Sequence, residues 1–536
     1  MRKQLWIDIP VNISQPSHHA DEQHITNLSP SHRPSHATMV WEQIEPTPPH
    51  VTYLLLSTFL IFYVLFTNFL RDRLHLSEPP IALIVGIVLG PFGLGWLTPN
   101  FCRQGECIDG SGSQGWGWGD GVVQEITRII VGIQVFAVGV ELPKFYFGRH
   151  WKSVAMMLGP VMTFGWIICA FFCWAIFHVD VPTSMVISAC LTPTDPVLAA
   201  SILSNSQFST RVPKRLRDML GAESGCNDGI SFPFLYIGLY LLTQHTAGEA
   251  LKDWFTLTLL WQCLFGTLLG LIIGVTFNWI LRFSDARGFI DKAGFTVFYL
   301  LLALFCIGVG STLNVDDFLV GFGAGCAFAR DGWFARKTRE AKLPHIIDLL
   351  LNSSMFVYLG TILPFGAYGD MLLTPWITPG KLVGYLICVL LFRRIPVVMA
   401  TYRWIPDIKT LREALFCGHF GPMGLGGLFL AIEARAVLET GTSTPDPHPP
   451  VYQGPLTSRE KAIESVWPIV SFIVLGSTIV HGLSILLISL WSHVRRDKRS
   501  QAGIIAAETD PFTGMEHDVG DGDSAPSETE SEHDQP

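Results

Sequence analysis

Long apolar stretches separated by short polar loops run from about residue 51 to about residue 491. A helix needs roughly 20 predominantly apolar residues to cross a bilayer. By that criterion the pattern predicts an all-α polytopic membrane protein with thirteen transmembrane helices. The predicted spans cover about residues 51–70, 80–98, 121–142, 153–178, 182–204, 218–243, 255–281, 293–312, 316–330, 346–366, 382–400, 413–437 and 466–491.

The composition agrees with a membrane protein. Of the 536 residues, 49% are hydrophobic and only 15% are charged, whereas average proteins carry about 25% charged residues. The net charge of -9 arises largely in the C-terminal tail and the outward-facing loops, so it indicates no nucleic-acid partner. We expect a protein that is not an enzyme, works without a cofactor and has the lipid bilayer as its surroundings.

Basic residues in the loops test the number and orientation of the spans. Lys and Arg accumulate in short cytoplasmic loops. Most of the loop Lys and Arg residues follow odd-numbered spans, and a missed span would reverse this bias from that point onwards. The loops after even-numbered spans contain only Arg103, Lys252, Lys381, Arg459 and Lys461. The bias therefore predicts an extracellular N-terminus and a cytoplasmic C-terminus.

Polar sequence flanks the predicted membrane domain of residues 51–491. Residues 1–50 lack the apolar core of a secretory signal and are interpreted as a disordered extracellular arm. Residues 1–38 are either part of this arm or an upstream extension, because Met39 offers a second start. Residues 492–536 become basic, then acidic and Ser-rich, which predicts a short disordered cytoplasmic tail.

Acidic residues lie inside otherwise apolar runs in the fifth and sixth spans. An ionised carboxylate at the bilayer centre costs at least roughly 3 kcal/mol, so an intramembrane Asp or Glu indicates an ion or proton site. The fifth span contains Thr194 and Asp195 between Pro193 and Pro196. Because proline removes a backbone donor, the helix must break there. In the sixth span, the corresponding polar residues are Glu223, Ser224, Asn227 and Asp228.

Depth along the helices brings these residues together. A helix rises 1.5 Å per residue, so a position about ten residues into a span lies near the midplane. Asp195 lies about thirteen residues from the outside, and Asp228 lies about ten residues from the inside. Arg393 and Arg394 of the eleventh span reach a similar depth. Because a lone buried cation is too costly, we expect one of these arginines beside a carboxylate.

The twelfth span is the second interrupted one. It contains Gly421, Pro422 and Gly424, and glycine and proline at this density break a helix. With the seventh span set aside, the fifth and twelfth spans are each fifth in a block of six. Six spans followed by a connector leave the second block inverted. The predicted fold is therefore a pair of inverted repeats of six, with two broken helices crossing at the membrane midplane.

Together these motifs resemble the fungal plasma-membrane sodium/proton antiporters of the monovalent cation/proton antiporter superfamily. The resemblance covers about residues 39–495 and rests on Thr192-Pro193-Thr194-Asp195-Pro196, Glu223-Ser224, Asn227-Asp228, Phe392-Arg393-Arg394-Ile395-Pro396 and Gly418-His419-Phe420-Gly421-Pro422. It implies a plasma-membrane homodimer that exchanges Na⁺ and Li⁺, with K⁺ left open, for H⁺. It also implies roles in salt tolerance, cation homeostasis and pH regulation.

The resemblance also implies roles for individual residues. Asp228 binds Na⁺ and the proton alternately, and the adjacent Asn227 also belongs to the ion-binding residues. An arginine of the eleventh span, Arg394 or Arg393, neutralises or orients an acidic residue. The residues that complete the coordination of the ion, directly or through water, are Glu223, Ser224, Asp195 and Thr194.

Simple electrostatics fits exchange at one acid. Burial disfavours the charged form of a carboxylate, whereas a bound cation favours it, so one site holds H⁺ or Na⁺ but not both. Structural explanations stay open for Asp195, as a cap of a half-helix, and for Glu223, as the partner of an arginine. A sodium-coupled solute symporter on a similar fold is the alternative function.

Three further acidic residues are interpreted as structural. Glu125 and Arg128 lie within one turn of each other, which favours a local ion pair over a relay. Asp316 and Asp317 open the ninth span, where an acidic side chain stabilises a helix N-terminus.

Overall fold

The computed structural model describes residues 48–74, 76–97, 120–196, 198–199, 212–337, 343–369, 374–446, 452 and 455–508. All regular secondary structure within these ranges is helical. The predicted extracellular arm as far as residue 47 and the end of the predicted tail lie outside the described residues. An all-α fold is thus confirmed for the part of the chain that is described.

A helix lies at each of the predicted spans in the described ranges, and we number the helices accordingly. They are α1 (Pro48–Asp72), α2 (Glu78–Leu89), α3 (Asp120–Glu141), α4 (Tyr146–Phe177), α5 (Val181–Ala189), α6 (Lys214–Thr243), α7 (Ala247–Ala286), α8 (Lys292–Thr312), α9 (Asp317–Ala329), α10 (Leu343–Ile362), α11 (Pro379–Phe392 and Ile395–Thr401), α12a (Leu411–His419), α12b (Leu425–Thr440) and α13 (Ser458–Glu508). A short helix, Trp333–Lys337, follows α9.

Among the described helices, 7 are long and apolar enough to cross a membrane. The others are short, broken or rich in polar residues, so the number of thirteen spans stays a prediction. The last helix, α13, continues past the predicted end of the final span at Trp491 as far as Glu508.

The two predicted breaks are present. The backbone is non-helical from Leu191 to Asp195, and Pro196 resumes the helix. The second break separates α12a from α12b and runs from Phe420 to Gly424. Both breaks fall at the proline- and glycine-rich motifs because those residues remove backbone donors and weaken the helix.

The sequence analysis did not predict a third break, in α11. The helix stops at Phe392 and resumes at Ile395, so Arg393 and Arg394 lie at the interruption. Pro396 follows within the first turn of the resumed helix, where its missing N–H costs nothing. The interruption sends the two arginine side chains towards different partners.

Four helices form what we call the scaffold block, namely α3, α7, α8 and α9. They share one apolar core, which includes Phe136, Tyr299 and Phe328. α9 fits between α3 and α7 through glycines: a Cβ atom on Gly325 would overlap the carbonyl oxygen of Phe136, and one on Gly270 would overlap that of Val320. Backbones this close leave little room for the helices to shift against each other.

A second group, which we call the site block, consists of α5, α6, α12a, α12b and α13. α13 packs on α5 and α12b, and α6 packs on α5 and α12b. The outer surfaces of other helices stay apolar, as in α1, where Leu54 is 66% exposed and Leu65 is 70% exposed. Such a surface suits contact with lipid, because apolar side chains are favourable in the hydrocarbon core of a bilayer.

We expect Gly270→Ala to lower the free energy of unfolding by about 1–3 kcal/mol. The added Cβ atom must displace the backbone of α9 in the core of the scaffold block. The measurement is the midpoint of thermal unfolding in detergent. Gly308→Ala is the matched control, since a Cβ atom there meets no atom within 4 Å. Equal midpoints for the two variants would contradict the tight contact between α7 and α9.

Candidate ion-binding site

Asp195 connects the two broken helices. Its backbone N–H donates to the carbonyl of Pro422 at 2.8 Å. Its carboxylate accepts from the N–H of Leu198 at 2.8 Å and from the N–H of Leu425 at 3.3 Å. One acid therefore caps the half-helix that follows each break, where N–H groups have no helical partner. A Cβ atom on Gly424 would overlap this carboxylate, which explains the glycine.

A hydroxyl and amide network ties the first break to α6. Asn227 accepts from the backbone N–H of Thr194 at 3.2 Å, and its Nδ2 donates to the Thr194 hydroxyl at 2.8 Å. The Thr194 hydroxyl also lies 2.7 Å from that of Ser224. Both ends of the Asn227 amide thus engage Thr194, so this side chain positions the break and has little capacity left for an ion.

Asp228 lies beside both breaks. The side chain is buried, with 2% of the residue exposed, and its Oδ1 atom has no hydrogen-bond partner among the described residues. A Cβ atom on Gly426 of α12b would overlap this Oδ1 and would lie 3.4 Å from Pro193. A buried carboxylate oxygen without a donor is costly in the ionised form unless a proton or a cation accompanies it.

The two arginines of α11 have different partners. Arg393 donates to the carbonyl of Leu191 and to that of Gly421, one at each break. Arg394 binds both carboxylate oxygens of Glu223, with Nη2 at 2.6 Å from Oε2, and its Nε donates to a backbone carbonyl of α12a. The structure thus pairs Arg394 with Glu223 and gives Arg393 to the backbone.

This arrangement separates the two acids of α6. Glu223 and Asp228 are five residues apart, which places them roughly 140° apart around the helix axis. Glu223 is neutralised by Arg394, whereas the described part of the chain contains no basic side chain paired with Asp228. Asp228 is therefore an acid without a basic partner among the described residues, and a monovalent cation or a proton would supply the compensating charge.

The structural roles predicted for Asp316 and for Glu125 have different outcomes. Asp316 is confirmed as the N-cap of α9, because its carboxylate accepts from the N–H of Leu319 at 3.0 Å. Arg128 does contact Glu125 at 3.2 Å, yet its shorter contact, at 2.8 Å, is with Asp317. The local pair that the spacing predicts is therefore only part of what Arg128 does.

Sequence reasoning overlooked Glu433 and Arg435, two buried charged residues of α12b. Glu433 accepts from Gln124 at 2.7 Å and from the hydroxyl of Tyr236 at 2.9 Å. Arg435 pairs with Asp120 at 2.8 Å. The signal was present, since both charges interrupt an apolar run in the same way as the acids of α6.

Comparison with known proteins decides the family. Residues 56–491 match the family described as sodium/hydrogen exchanger, transmembrane. The chain belongs to this family. The chain is 43% identical over 459 residues to Na(+)/H(+) antiporter 2 of Zygosaccharomyces rouxii, covering 84% of this chain and 54% of that protein. It is 34% identical over 463 residues to a Na(+)/H(+) antiporter of Schizosaccharomyces pombe, covering 85% of this chain and 94% of that protein.

The fold of this chain is also that of a solved structure. It superimposes on the sodium proton antiporter MjNhaP1 from Methanocaldococcus jannaschii with a TM-score of 0.59 and 17% sequence identity, covering 83% of this chain and 97% of that chain. The chain spans 58% and 54% of the lengths of two of its fungal relatives, or about half.

We expect Arg394→Ala to lower the free energy of unfolding by about 3–5 kcal/mol, because it leaves the buried Glu223 carboxylate uncompensated. Thermal unfolding in detergent measures the loss. The double variant Arg394→Ala/Glu223→Gln removes both charges and should recover a large part of it. Arg403→Ala, at an exposed position, is the control. If the double variant were as unstable as the single one, Arg394 would not be compensating Glu223.

Proposed function

We propose that this exchanger moves Na⁺ or Li⁺ in one direction and H⁺ in the other across the plasma membrane, with K⁺ left open as a third cation. The observation that carries the proposal is Asp228, a buried acid at the junction of two broken helices that no basic side chain in the described residues neutralises. The antiporter names of the fungal relatives and the shared fold support the same function.

In this proposal Asp228 holds either the proton or the cation. Burial makes the bare carboxylate unfavourable, so release of one ligand requires uptake of the other. Thr194 and Ser224 offer hydroxyl oxygens next to Asn227, and hard oxygen ligands suit Na⁺ and Li⁺. Glu223 and Asp195 already have strong partners, so we assign them to holding the site together and not to direct coordination.

Transport then needs alternating access. We propose that the site block moves against the scaffold block and exposes Asp228 first to one side of the membrane and then to the other. The N-terminus lies outside and the C-terminus in the cytoplasm, as the basic loops predict. The protein forms a homodimer in the bilayer, as the family resemblance implies.

We expect Asp228→Asn to abolish Na⁺-driven proton flux, because an amide neither binds the proton nor attracts the cation. The assay uses purified protein in sealed vesicles with a pH-sensitive dye and an imposed Na⁺ gradient. Asp331→Asn is the control. This partly exposed carboxylate pairs with Arg282 and does not belong to the ion site, so the variant should retain flux. Undiminished exchange by Asp228→Asn would refute the proposal.

The same assay separates other kinds of transport. A channel would pass Na⁺ without proton counterflow, and a sodium-coupled symporter would need an added solute for Na⁺ movement. Parallel measurements with Na⁺, Li⁺ and K⁺ rank the three cations.

Competition at one carboxylate predicts a pH dependence. Because the proton and the cation exclude each other, the apparent KM for Na⁺ should rise about tenfold for each unit by which the pH falls, once the site is mostly protonated. The maximal rate at saturating Na⁺ should change much less. A KM that stayed constant over a wide acidic range would mean separate sites for H⁺ and Na⁺.

A further inference from the structure

A polar stripe on α3 contacts the helix that follows the second break. Asp120, Gln124 and Arg128 recur every four residues, so they lie on one face of α3. Asp120 pairs with Arg435 at 2.8 Å, and Gln124 donates to the carboxylate of Glu433 at 2.7 Å. We call these contacts between α3 and α12b the latch.

Arg128 adds a third contact and anchors the stripe. Its guanidinium lies 4.9 Å from the centre of the Phe429 ring and 4.0 Å from the carboxylate of Glu433, both on α12b. It also binds Asp317 of α9 at 2.8 Å. Arg128 is therefore fixed to the scaffold block on one side while it faces α12b on the other.

An aromatic cluster separates the latch from Asp228. Phe318 and Phe429 pack with ring centres 5.0 Å apart, and Phe232 lies 6.2 Å from Phe318 and 6.4 Å from Phe429. Phe232 is one turn beyond Asp228 on α6, and Tyr236 is one turn further. Since the Tyr236 hydroxyl donates to Glu433, the order along this face is ion site, aromatic cluster, latch.

The latch crosses the boundary between the two blocks. The glycine contacts hold α3 to α9, and Asp195 caps α12b while it belongs to the break of α5. α3 therefore belongs with the scaffold block, and α12b belongs with the ion site. Opening Asp228 towards this side requires α12b to separate from α3, which breaks the contacts that Glu433 and Arg435 make with Gln124 and Asp120. Arg435 keeps its pair with Glu439 on its own helix.

We propose that the latch holds this exchanger closed on the side that the basic loops assign to the outside, with Glu433 and Arg435 as positioning residues for alternating access. The proposal rests on the proposed exchange function, because only a site that opens to both sides needs such a contact. Buried ion pairs and aromatic packing suit this role, since they are stable while assembled and are lost together when the helices part.

The test compares the two faces of the membrane. Weakening the latch shifts the population towards the state open to the outside, so the KM for Na⁺ should fall at the outer face and rise at the inner face. For Glu433→Gln and for Asp120→Asn we expect the ratio of the two KM values to change by about tenfold, the size of one hydrogen bond to a charged group. Right-side-out and inside-out vesicles supply the two measurements.

The control is Glu413→Gln. This carboxylate lies on α12a and pairs with Arg215 of α6, so it does not belong to the latch. Its KM ratio should match that of the wild type. A merely structural role for Glu433 would lower the amount of active protein and leave the ratio unchanged, and that result would overturn the proposal. If Glu433→Gln failed to fold, Asp120→Asn, whose side chain is partly exposed, would decide alone.

A second test begins with a measurement that does not depend on transport. In Gln124→His/Glu433→His, the two imidazoles replace side chains whose ends are 2.7 Å apart and should bind Zn²⁺ between them. Zn²⁺ should then raise the midpoint of thermal unfolding of the double variant and of neither single variant. In right-side-out vesicles, external Zn²⁺ should inhibit exchange by the double variant, and a chelator should restore it.

The outcomes distinguish the two proposals. Wild-type exchange that needs Asp228, combined with unchanged KM ratios in both latch variants, would overturn the latch and leave the exchange function standing. Absence of Na⁺-driven proton flux in the wild type would instead overturn the exchange function.

Discussion

Two helices that break at the same place expose backbone N–H and C=O groups where neither lipid nor helix satisfies them, and the rest of this site depends on solving that problem. One acid and one base solve it. Asp195 accepts from the N–H groups of the half-helices after both breaks, and Arg393 donates to the carbonyls of Leu191 and Gly421. The charged groups of Asp195 and Arg393 thus bind backbone groups, and each of these two residues joins α5 to α12.

The remaining charges then follow from the need to avoid uncompensated ions in an apolar interior. Arg394 and Glu223 compensate each other through two hydrogen bonds. This leaves Asp228 as the acid of the site without a basic partner among the described residues. A second arginine directed at Asp228 would make a stable ion pair and would compete with Na⁺ and H⁺. The break in α11 prevents this, because it directs Arg393 to the backbone and Arg394 to Glu223.

Much of the fold can be predicted from the sequence, because several of its signals act along the chain. Apolar length locates the helices, and Pro193, Pro196, Pro422 and the neighbouring glycines locate two of the breaks, since both signals act along the chain. The depth argument also brings Asp195 and Asp228 together. It does not give rotation around the helix axis, so the sequence left open which arginine meets Glu223.

What the sequence did not reveal depends on contacts between distant segments. The proposal that Asp195 and Asn227 coordinate the ion came from resemblance, whereas their hydrogen bonds engage the break itself. The sequence prediction lacks Glu433 and Arg435 because the depth argument selects only residues near the expected midplane. Their partners on α3 are more than 300 positions away along the chain, so only the packed structure identifies α3 as the helix that faces them.

The way the breaks are held also limits how the helices of this chain can move. If α5 and α12b flexed separately, Asp195 would lose one of its caps and Arg393 one of its carbonyls, and each loss would leave a buried polar group unpaired at a cost of about 1–3 kcal/mol. Moving both helices together with α6 and α11 preserves all of these contacts. The same reasoning applies inside the scaffold block, where glycines put backbones in direct contact. Motion is therefore least costly at the boundary between the blocks, where side chains such as Gln124 and Glu433 meet and can exchange protein partners for water.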